Sequence, residues 1–185
     1  FAELIKISGL SHGTDVWLGN AQELIKNNIV PFKEVIGCRD DIMVYLMYKG
    51  LAPIKAFKIM EFVRKGKASK DPETWKGHVE TMREANIPEW YIESCRKIKY
   101  MFPKAHAAAY VTSAFRIAWY KVHMPVYFYA SWYSSKATDV DVEAMIGGYT
   151  PIKNRIIDIQ NKGYEATNKE NGQLESLKIA LEATA

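Results

Sequence analysis

The chain has 185 residues, of which 48% are hydrophobic and 25% charged, and a formal net charge of +4 at pH 7. This length suffices to bury one hydrophobic core, so we predict one domain or one domain with a short appendage. Two cysteines and four separated histidines exclude a disulfide framework and argue against a metal site formed by this chain. The absence of a long apolar run and of a secretory signal predicts a cytoplasmic protein with no membrane partner. Because the sequence begins at Phe1 without a methionine, we interpret it as a piece of a longer protein.

Three glycines punctuate residues 1–19 and predict a loop around His12. Two interpretations of this loop are open. Its polar side chains can cap the local backbone, or Ser11 and His12 can line a binding cleft. Asn20 with Glu23 then resembles a capping box and predicts the start of a short helix.

Proline and glycine divide the rest of the chain into helices, since proline favours a first helical turn and glycine a helix end. Asp71 before Pro72 is a typical helix start. No pair of strands is recognisable, so the predicted fold class is all-α, with helices joined by short Gly/Pro loops. The predicted helices cover residues 21–27, 39–49, 54–65, 72–85, 89–100, 103–123, 138–146 and 151–163. We expect the polar and then amphipathic tail after them either to pack loosely or to belong to a following domain.

The longest predicted helix, residues 103–123, has two different faces. One is an apolar stripe that predicts packing on a core: Ala107, Ala108, Val111, Phe115, Ala118, Trp119 and Val122. The other carries polar and aromatic groups beside small ones: His106, Ala109, Tyr110, Ser113, Ile117, Tyr120 and Lys121. Such a face either packs in a core or binds a ligand, and the pattern alone does not decide between the two.

Two stretches of the chain are strongly basic. Residues 94–138 contain seven Lys or Arg and no acid, and residues 49–70 contain seven Lys or Arg and one acid, Glu61. A run of charge is often only a solvated face, but a stretch of one sign also suggests that a ligand supplies the counter-charge. A helix start with Lys104 beside it is a favourable place for phosphate.

The sequence FPKAHAAAY at 102–110 resembles the fingers motif of the C-family bacterial replicative polymerases, and the following FRIAWYKVHMP matches their PolC type, the DNA polymerase III alpha subunit. Three segments upstream of that motif are also similar to this family: ISGLSHGTDVW, IGCRDDIMVYLMYKGL and AFKIMEFVRKGK. The resemblance covers about the first 145 residues. It implies a multi-helix fingers subdomain over residues 1–135, with a nucleotide-cleft loop at 1–19 and a helical body at 20–135. Residues 136–185 are then the truncated start of the following helical region.

The resemblance also implies a function: binding of the incoming dNTP triphosphate and the nascent base pair during template-directed DNA synthesis. The implied dNTP-binding residues are Arg39, Lys58, Arg64, Lys65, Lys67, Phe102, Lys104, His106 and Tyr110. Further cleft or template candidates are Ser11, His12 and Ser113. On an ideal helix Lys104 points about 160° away from His106, so the first turn is distorted or Lys104 serves elsewhere.

Catalytic residues are not expected in this chain. Nucleotidyl transfer uses carboxylates that hold two Mg²⁺ ions, and the pairs Asp40 with Asp41 and Asp139 with Asp141 are better interpreted as helix caps and surface charge. We therefore expect the Mg²⁺ cofactor to be held by palm carboxylates outside these residues, and the chain by itself to be inactive. The expected partners are dNTP, primer–template DNA, the palm of the same polymerase and replisome proteins such as the sliding clamp.

Two other classes of function remain open. A helical nucleic-acid-binding module without a catalytic role would bind through phosphate contacts, with an affinity that depends on salt and not on sequence. A protein-interaction domain would bury its aromatic face in a partner and depend little on salt. Neither alternative explains a match over several separate motifs.

Overall fold

The computed structural model describes residues 1–184, and their regular structure is helical. Extended backbone pairs at a single point in this part of the chain, the bridge between Thr14 and Tyr100. The all-α prediction is therefore confirmed. The described helices are α1 (Ala2–His12), α2 (Gln22–Lys26), α3 (Arg39–Tyr48), α4 (Pro53–Arg64), α5 (Pro72–Glu84), α6 (Glu89–Lys97), α7 (Lys104–His123), α8 (Pro125–Ser135), α9 (Val142–Ile146), α10 (Tyr149–Lys162) and α11 (Asn168–Ala183).

The chain forms two compact units, Phe1–Ser113 and Ala114–Ala185. The division falls inside α7, so one continuous helix contributes to both units. Compactness and function are different criteria, and the functional boundary expected after residue 135 stays a prediction. None of the helices within residues 1–184 combines the length and the apolar character needed to cross a membrane.

The core of the first unit is formed by α3, α4, α5 and α6. Leu46, Val63 and Met82, on three of these helices, are completely buried, and Tyr91 of α6 is 1% exposed. Burying each side chain of this size contributes about 1.5–3 kcal/mol relative to leaving it in water. This packing fixes the ends of α3 and α4, which carry charged residues of the candidate site.

Local signals placed the ends of α3 and α4 and the start of α5 correctly, whereas the helix predicted over 89–100 ends at Lys97 and residue 98 is extended. Gly50 and Gly66 follow α3 and α4 with φ of +93° and +65°, a backbone region that favours glycine. Asp71 accepts a hydrogen bond from the backbone N of Thr74, 3.1 Å away, and caps α5. These ends depend on residues close in sequence, which is why sequence patterns predict them.

Replacing Gly66 with alanine is expected to lower the free energy of unfolding by about 2–4 kcal/mol, because strain and overlap add. A Cβ at Gly66 would lie 2.4 Å from the carbonyl oxygen of Lys99. Gly50→Ala is the matched control, since its φ is also positive but nothing lies within 4 Å of the added Cβ. The control is expected to lose about 1 kcal/mol. Urea unfolding of both variants is the measurement, and equal losses would contradict this account of Gly66.

The predicted loop at residues 1–19 is wrong over most of its length, because Ala2–His12 is an α-helix. Gly9 lies inside that helix and serves close packing instead of a turn. A Cβ at Gly9 would lie 2.3 Å from the carbonyl oxygen of Gly37. The approach of two distant backbone segments is invisible to a local pattern, so the glycine was misread as a loop signal.

The predicted capping box at Asn20 is also wrong. The Asn20 side chain is 2% exposed, and its amide nitrogen donates to the carbonyl oxygens of Asp15 at 2.9 Å and Ser94 at 3.1 Å. The hydroxyl of Ser94 donates back to the Asn20 side-chain oxygen at 2.7 Å. Asn20 therefore ties the N-terminal segment to α6, and α2 begins without a side-chain cap from Asn20.

In the second unit, α10 and α11 pack against each other. Their contact is a cluster of buried apolar side chains: Ile152, Ile156, Ile159, Leu177 and Ala180. Thr167 and Glu170 form a capping box at the start of α11. The expectation that the tail packs loosely is therefore wrong, because its amphipathic part closes the core of this unit.

The apolar stripe predicted on α7 is buried only in its first half. Ala107 and Val111 are buried with Ile5 of α1, whereas Trp119 is 52% and Val122 72% exposed. Periodicity indicated correctly which side of the helix is apolar. It could not indicate how far along the helix a neighbour covers that side.

Candidate functional site

An extended segment before α7, residues 98–103, is held on two sides by backbone hydrogen bonds. The N–H of Thr14 donates to the carbonyl of Tyr100 at 2.9 Å, on the side of the N-terminal segment. On the other side the N–H of Met101 donates to the carbonyl of Arg64 at 3.2 Å, and the N–H of Arg39 to that of Phe102 at 3.2 Å. The segment therefore has a defined position between the start of α3 and the end of α4.

Four rings from this segment and α7 form a continuous series, which we call the aromatic ladder: Tyr100, Phe102, His106 and Tyr110. Phe102 lies edge-on to Tyr100 with ring centroids 4.9 Å apart and stacks on His106 at 4.5 Å. His106 and Tyr110, one helical turn apart, have centroids 4.7 Å apart. His12 of α1 lies 6.4 Å from Tyr110. Tyr110 is 61% exposed, so the ladder presents an open ring face to solvent.

Three cations converge on the single acid of the 49–70 stretch. Lys65 lies 3.0 Å and Arg39 3.6 Å from the Glu61 carboxylate, and Arg64 donates two hydrogen bonds to it, one of 2.8 Å. We call Arg39, Arg64 and Lys65 the basic cluster. The hydrogen bonds from Arg64, with further contributions from Lys65, lower the pKa of Glu61 to about 2 against the opposing effect of burial. The Nε atom of Arg39 is buried and has no hydrogen-bond partner among the described residues.

The basic cluster and the aromatic ladder are adjacent, because both are attached to the same extended segment. The backbone of Arg39 is hydrogen-bonded to Phe102, and the backbone of Arg64 to Met101. Guanidinium groups favour phosphate and carboxylate oxygens, and exposed aromatic rings favour stacking with flat rings. The arrangement is therefore suited to a ligand that combines an anionic group with a planar ring.

The one-sided charge of the 94–138 stretch does not indicate a ligand, although the sequence had suggested one. Several cations of the 94–138 stretch have counter-charges from the protein itself: Lys99 lies 2.6 Å from Asp15, Arg96 2.6 Å from Glu93, and Lys121 contacts Glu182. These carboxylates lie outside the stretch in sequence and close to it in space. A ligand is therefore not needed to balance these charges.

Seven of the residues predicted for the site are brought together. They are Arg39, Arg64 and Lys65 in the basic cluster, Phe102, His106 and Tyr110 in the ladder, and His12 beside it. Ser11 donates to the carbonyl of Ser8 and contacts Nδ1 of His12, so it helps to hold that ring.

The remaining predicted residues are not joined to these groups by any described side-chain contact. Lys58, Lys67 and Ser113 are exposed. Lys104 lines a cavity of the first unit together with Asp40, and no residue of the ladder or the basic cluster lines that cavity. The helical geometry thus separates Lys104 from His106, as the angle between them predicted. Tyr100, which immediately precedes the motif, was not predicted as a site residue. The pairing of Glu61 with the cations was not predicted either, although its isolation in a basic stretch could have indicated it.

Within residues 1–184 no group of three or more His, Cys, Asp or Glu side chains is placed to hold a metal ion. Asp40 accepts a hydrogen bond from the backbone N of Lys104 at 2.6 Å, and Asp41 accepts from Gly37 at 2.9 Å and Cys38 at 3.3 Å. The prediction that this pair caps helices is confirmed. The location of the Mg²⁺ carboxylates stays a prediction.

Comparison with known proteins identifies the class. Residues 1–86 match the sequence model of the bacterial DNA polymerase III alpha subunit finger domain. The chain is 60% identical over 182 residues to the PolC-type DNA polymerase III of Bacillus subtilis and 59% identical to that of Oceanobacillus iheyensis, with 98% of this chain covered in each case. The protein of the same name from Streptococcus thermophilus is 57% identical over 185 residues.

Over the residues it spans, the chain is therefore similar to the PolC-type DNA polymerase III proteins, and its first 86 residues are similar to the finger-domain family. It spans 12% of the length of the Bacillus subtilis protein. The resemblance noted in the sequence is confirmed.

Proposed function

We propose that this chain is the fingers part of a bacterial replicative DNA polymerase and that it binds the incoming dNTP during template-directed synthesis. The observation that carries the proposal is the attachment of the basic cluster and the aromatic ladder to one extended segment. A dNTP combines a polyanionic triphosphate with a planar base, so both parts of the site have a matching part of the ligand.

In this proposal the basic cluster contacts the triphosphate. Arg39 and Arg64 lie on two helices whose ends are fixed by core packing, so their charges are positioned before the ligand arrives. Their present counter-ion is Glu61, which neutralises one of three positive charges. The remaining charge attracts phosphate oxygens.

The aromatic ladder forms the wall against the nascent base pair. Tyr110 presents its exposed ring, while Phe102 stacks behind His106 and limits its movement. Stacking of this kind accepts any base, because every base has an aromatic face. Base choice then comes from pairing with the template, and we expect little sequence preference from the protein itself.

The chemical step belongs to other residues of the polymerase. We place the two Mg²⁺ ions on palm carboxylates outside the described residues. This part by itself is then expected to bind nucleotide without polymerising. Its partners in the cytoplasm are primer–template DNA, the palm of the same protein and replisome proteins such as the sliding clamp.

A matched pair of lysine variants on α4 and its C-terminal end tests the proposal. Lys65→Gln in the whole polymerase is expected to raise the dNTP concentration for half-maximal incorporation about 5- to 10-fold, because it removes a cation of the basic cluster. Lys55→Gln removes an exposed charge of the same helix that has no described partner, and no change is expected. Single-nucleotide incorporation across a dNTP titration is the measurement. Equal effects of both variants would indicate only general attraction of nucleic acid, as in a binding module without a catalytic role.

A further inference from the structure

Glu61 of α4 occupies the basic cluster with its own carboxylate. Its oxygens lie 3.0 Å from the ammonium of Lys65 and 3.6 Å from the guanidinium of Arg39, and Arg64 donates two hydrogen bonds to them. The four side chains are 22–47% exposed, so a ligand reaches them from solvent without disturbing the core. Three positive charges face one negative charge, and an excess of positive charge remains.

The position of Glu61 is not explained by the stability of its own helix. It lies in the last turn of α4, where the helix dipole disfavours a negative charge. Arg64 and Lys65 pair with it along one helix, but Arg39 reaches the same carboxylate from the start of α3. Among the described residues no other carboxylate pairs with any of these cations. Glu61 therefore marks the point where the charges of two helices converge.

The proposed dNTP site has a product as well as a substrate. In nucleotidyl transfer the primer 3′-oxygen bonds to the α-phosphorus of the dNTP, and the bond from that phosphorus to the bridging oxygen breaks. Pyrophosphate leaves with the electron pair of that bond, and the proton of the 3′-hydroxyl passes to solvent. A dNTP is also held through its base, whereas pyrophosphate has only its contacts with cations. An anion that competes for those cations therefore leaves pyrophosphate weakly bound.

We propose that Glu61 is a tethered competitor that displaces pyrophosphate from the basic cluster after each nucleotide addition. It is attached to the same turn of chain as Arg64 and Lys65, so its effective concentration beside them is always high. Partly exposed side chains change rotamer within nanoseconds, so the carboxylate returns as soon as a phosphate contact loosens. The inference rests on the proposed dNTP function and extends it to product release from the same site.

Inhibition of the whole polymerase by added pyrophosphate, at a dNTP concentration well below half-maximal, tests the proposal. Glu61→Gln keeps the size of the side chain and removes its charge, so the pyrophosphate concentration for half-inhibition is expected to fall about tenfold. The reverse reaction, in which pyrophosphate releases the last primer nucleotide as a dNTP, is expected to need correspondingly less pyrophosphate. Glu61→Ala is expected to show the same changes, and Glu61→Asp, which keeps the charge, to resemble the unaltered protein. Glu93→Gln removes a carboxylate paired with Arg96 outside the cluster and is expected to have no effect.

Unchanged or weaker inhibition by pyrophosphate in both Glu61→Gln and Glu61→Ala would overturn the proposal. Thermal unfolding of each variant verifies that folded proteins are compared. Lys65→Gln separates this failure from a failure of the dNTP site. If it raises the dNTP concentration for half-maximal incorporation while the Glu61 variants leave pyrophosphate inhibition unchanged, the dNTP site stands and the competitor is wrong. If Lys65→Gln changes neither the dNTP nor the pyrophosphate dependence, both are wrong.

Discussion

Replacing Tyr110 with alanine in the whole polymerase is expected to raise the dNTP concentration for half-maximal incorporation by about 10-fold or more, with the affinity for primer–template DNA preserved. Tyr110 is the open end of the aromatic ladder and is 61% exposed, so its removal takes away a stacking surface and little core. Alanine substitution of a ring that stacks on a base costs about 1–3 kcal/mol, which corresponds to roughly 5- to 150-fold. Incorporation across a dNTP titration, with a parallel DNA-binding measurement, tests this expectation.

Tyr120→Ala is the control for this variant. Tyr120 lies on the same helix, is 52% exposed and takes no part in the ladder, so its loss is expected to leave the dNTP titration unchanged. An unchanged titration for Tyr110→Ala as well would remove the ladder from the nucleotide site. The basic cluster would then be the remaining candidate.

Replacing Glu61 with glutamine is expected to strengthen dNTP binding about tenfold. Glu61 now occupies the basic cluster and competes with a triphosphate for Arg39, Arg64 and Lys65. Glu61→Gln removes one negative charge a few ångströms from a polyanion. At an effective dielectric constant of about 20, this removes a repulsion of a few kcal/mol. Part of the gain in affinity is offset, because the cations are held less firmly without the carboxylate. The dissociation constant of dNTP from the polymerase–DNA complex is the measurement.

Glu93→Gln is the matched control, because Glu93 pairs with Arg96 three residues on in the same way but outside the cluster. It is expected to leave dNTP affinity unchanged. Weaker dNTP binding by Glu61→Gln would contradict the competitor role. It would mean that the carboxylate positions the cations and does not block them.

The pH dependence of the Glu61 pair follows from its lowered pKa. Since the pKa is about 2 in the folded chain against an ordinary value of 4.5, the pair stabilises the fold fully above about pH 4.5. That stabilisation is lost as the pH falls from there toward 2. Glu61 is therefore ionised above about pH 4.5, and the effect of Glu61→Gln on dNTP affinity is expected to be independent of pH above that value.

The local features of this protein were predictable from local residues. The ends of α3, α4 and α5 follow from Gly50, Gly66 and Asp71, each of which acts on the backbone within a few positions. His106 and Tyr110 lie one turn apart on α7, so their proximity also follows from helical geometry, whereas Phe102 reaches His106 from the extended segment. A resemblance carried by the same residues predicted the family.

Features that join distant segments were not predictable. Gly9 was misread as a loop residue because its partner, Gly37, lies 28 positions away in sequence. Asn20 was misread as a cap because Ser94 pairs with it from α6. The counter-charges of Lys99 and Lys121, Asp15 and Glu182, are likewise far away in sequence.

The sequence alone determined the helical class, the ends of α3 and α4, the start of α5, the family resemblance and the pairing of His106 with Tyr110, because each depends on short-range backbone preferences or on a run of consecutive residues. Only the tertiary structure decided that Arg39 joins Arg64 and Lys65 around Glu61, since this depends on how α3 packs on α4. It also placed Lys104 in a cavity with Asp40 that no residue of the ladder lines. Side chains from separate helices meet where buried packing brings them, and no local pattern encodes that distance.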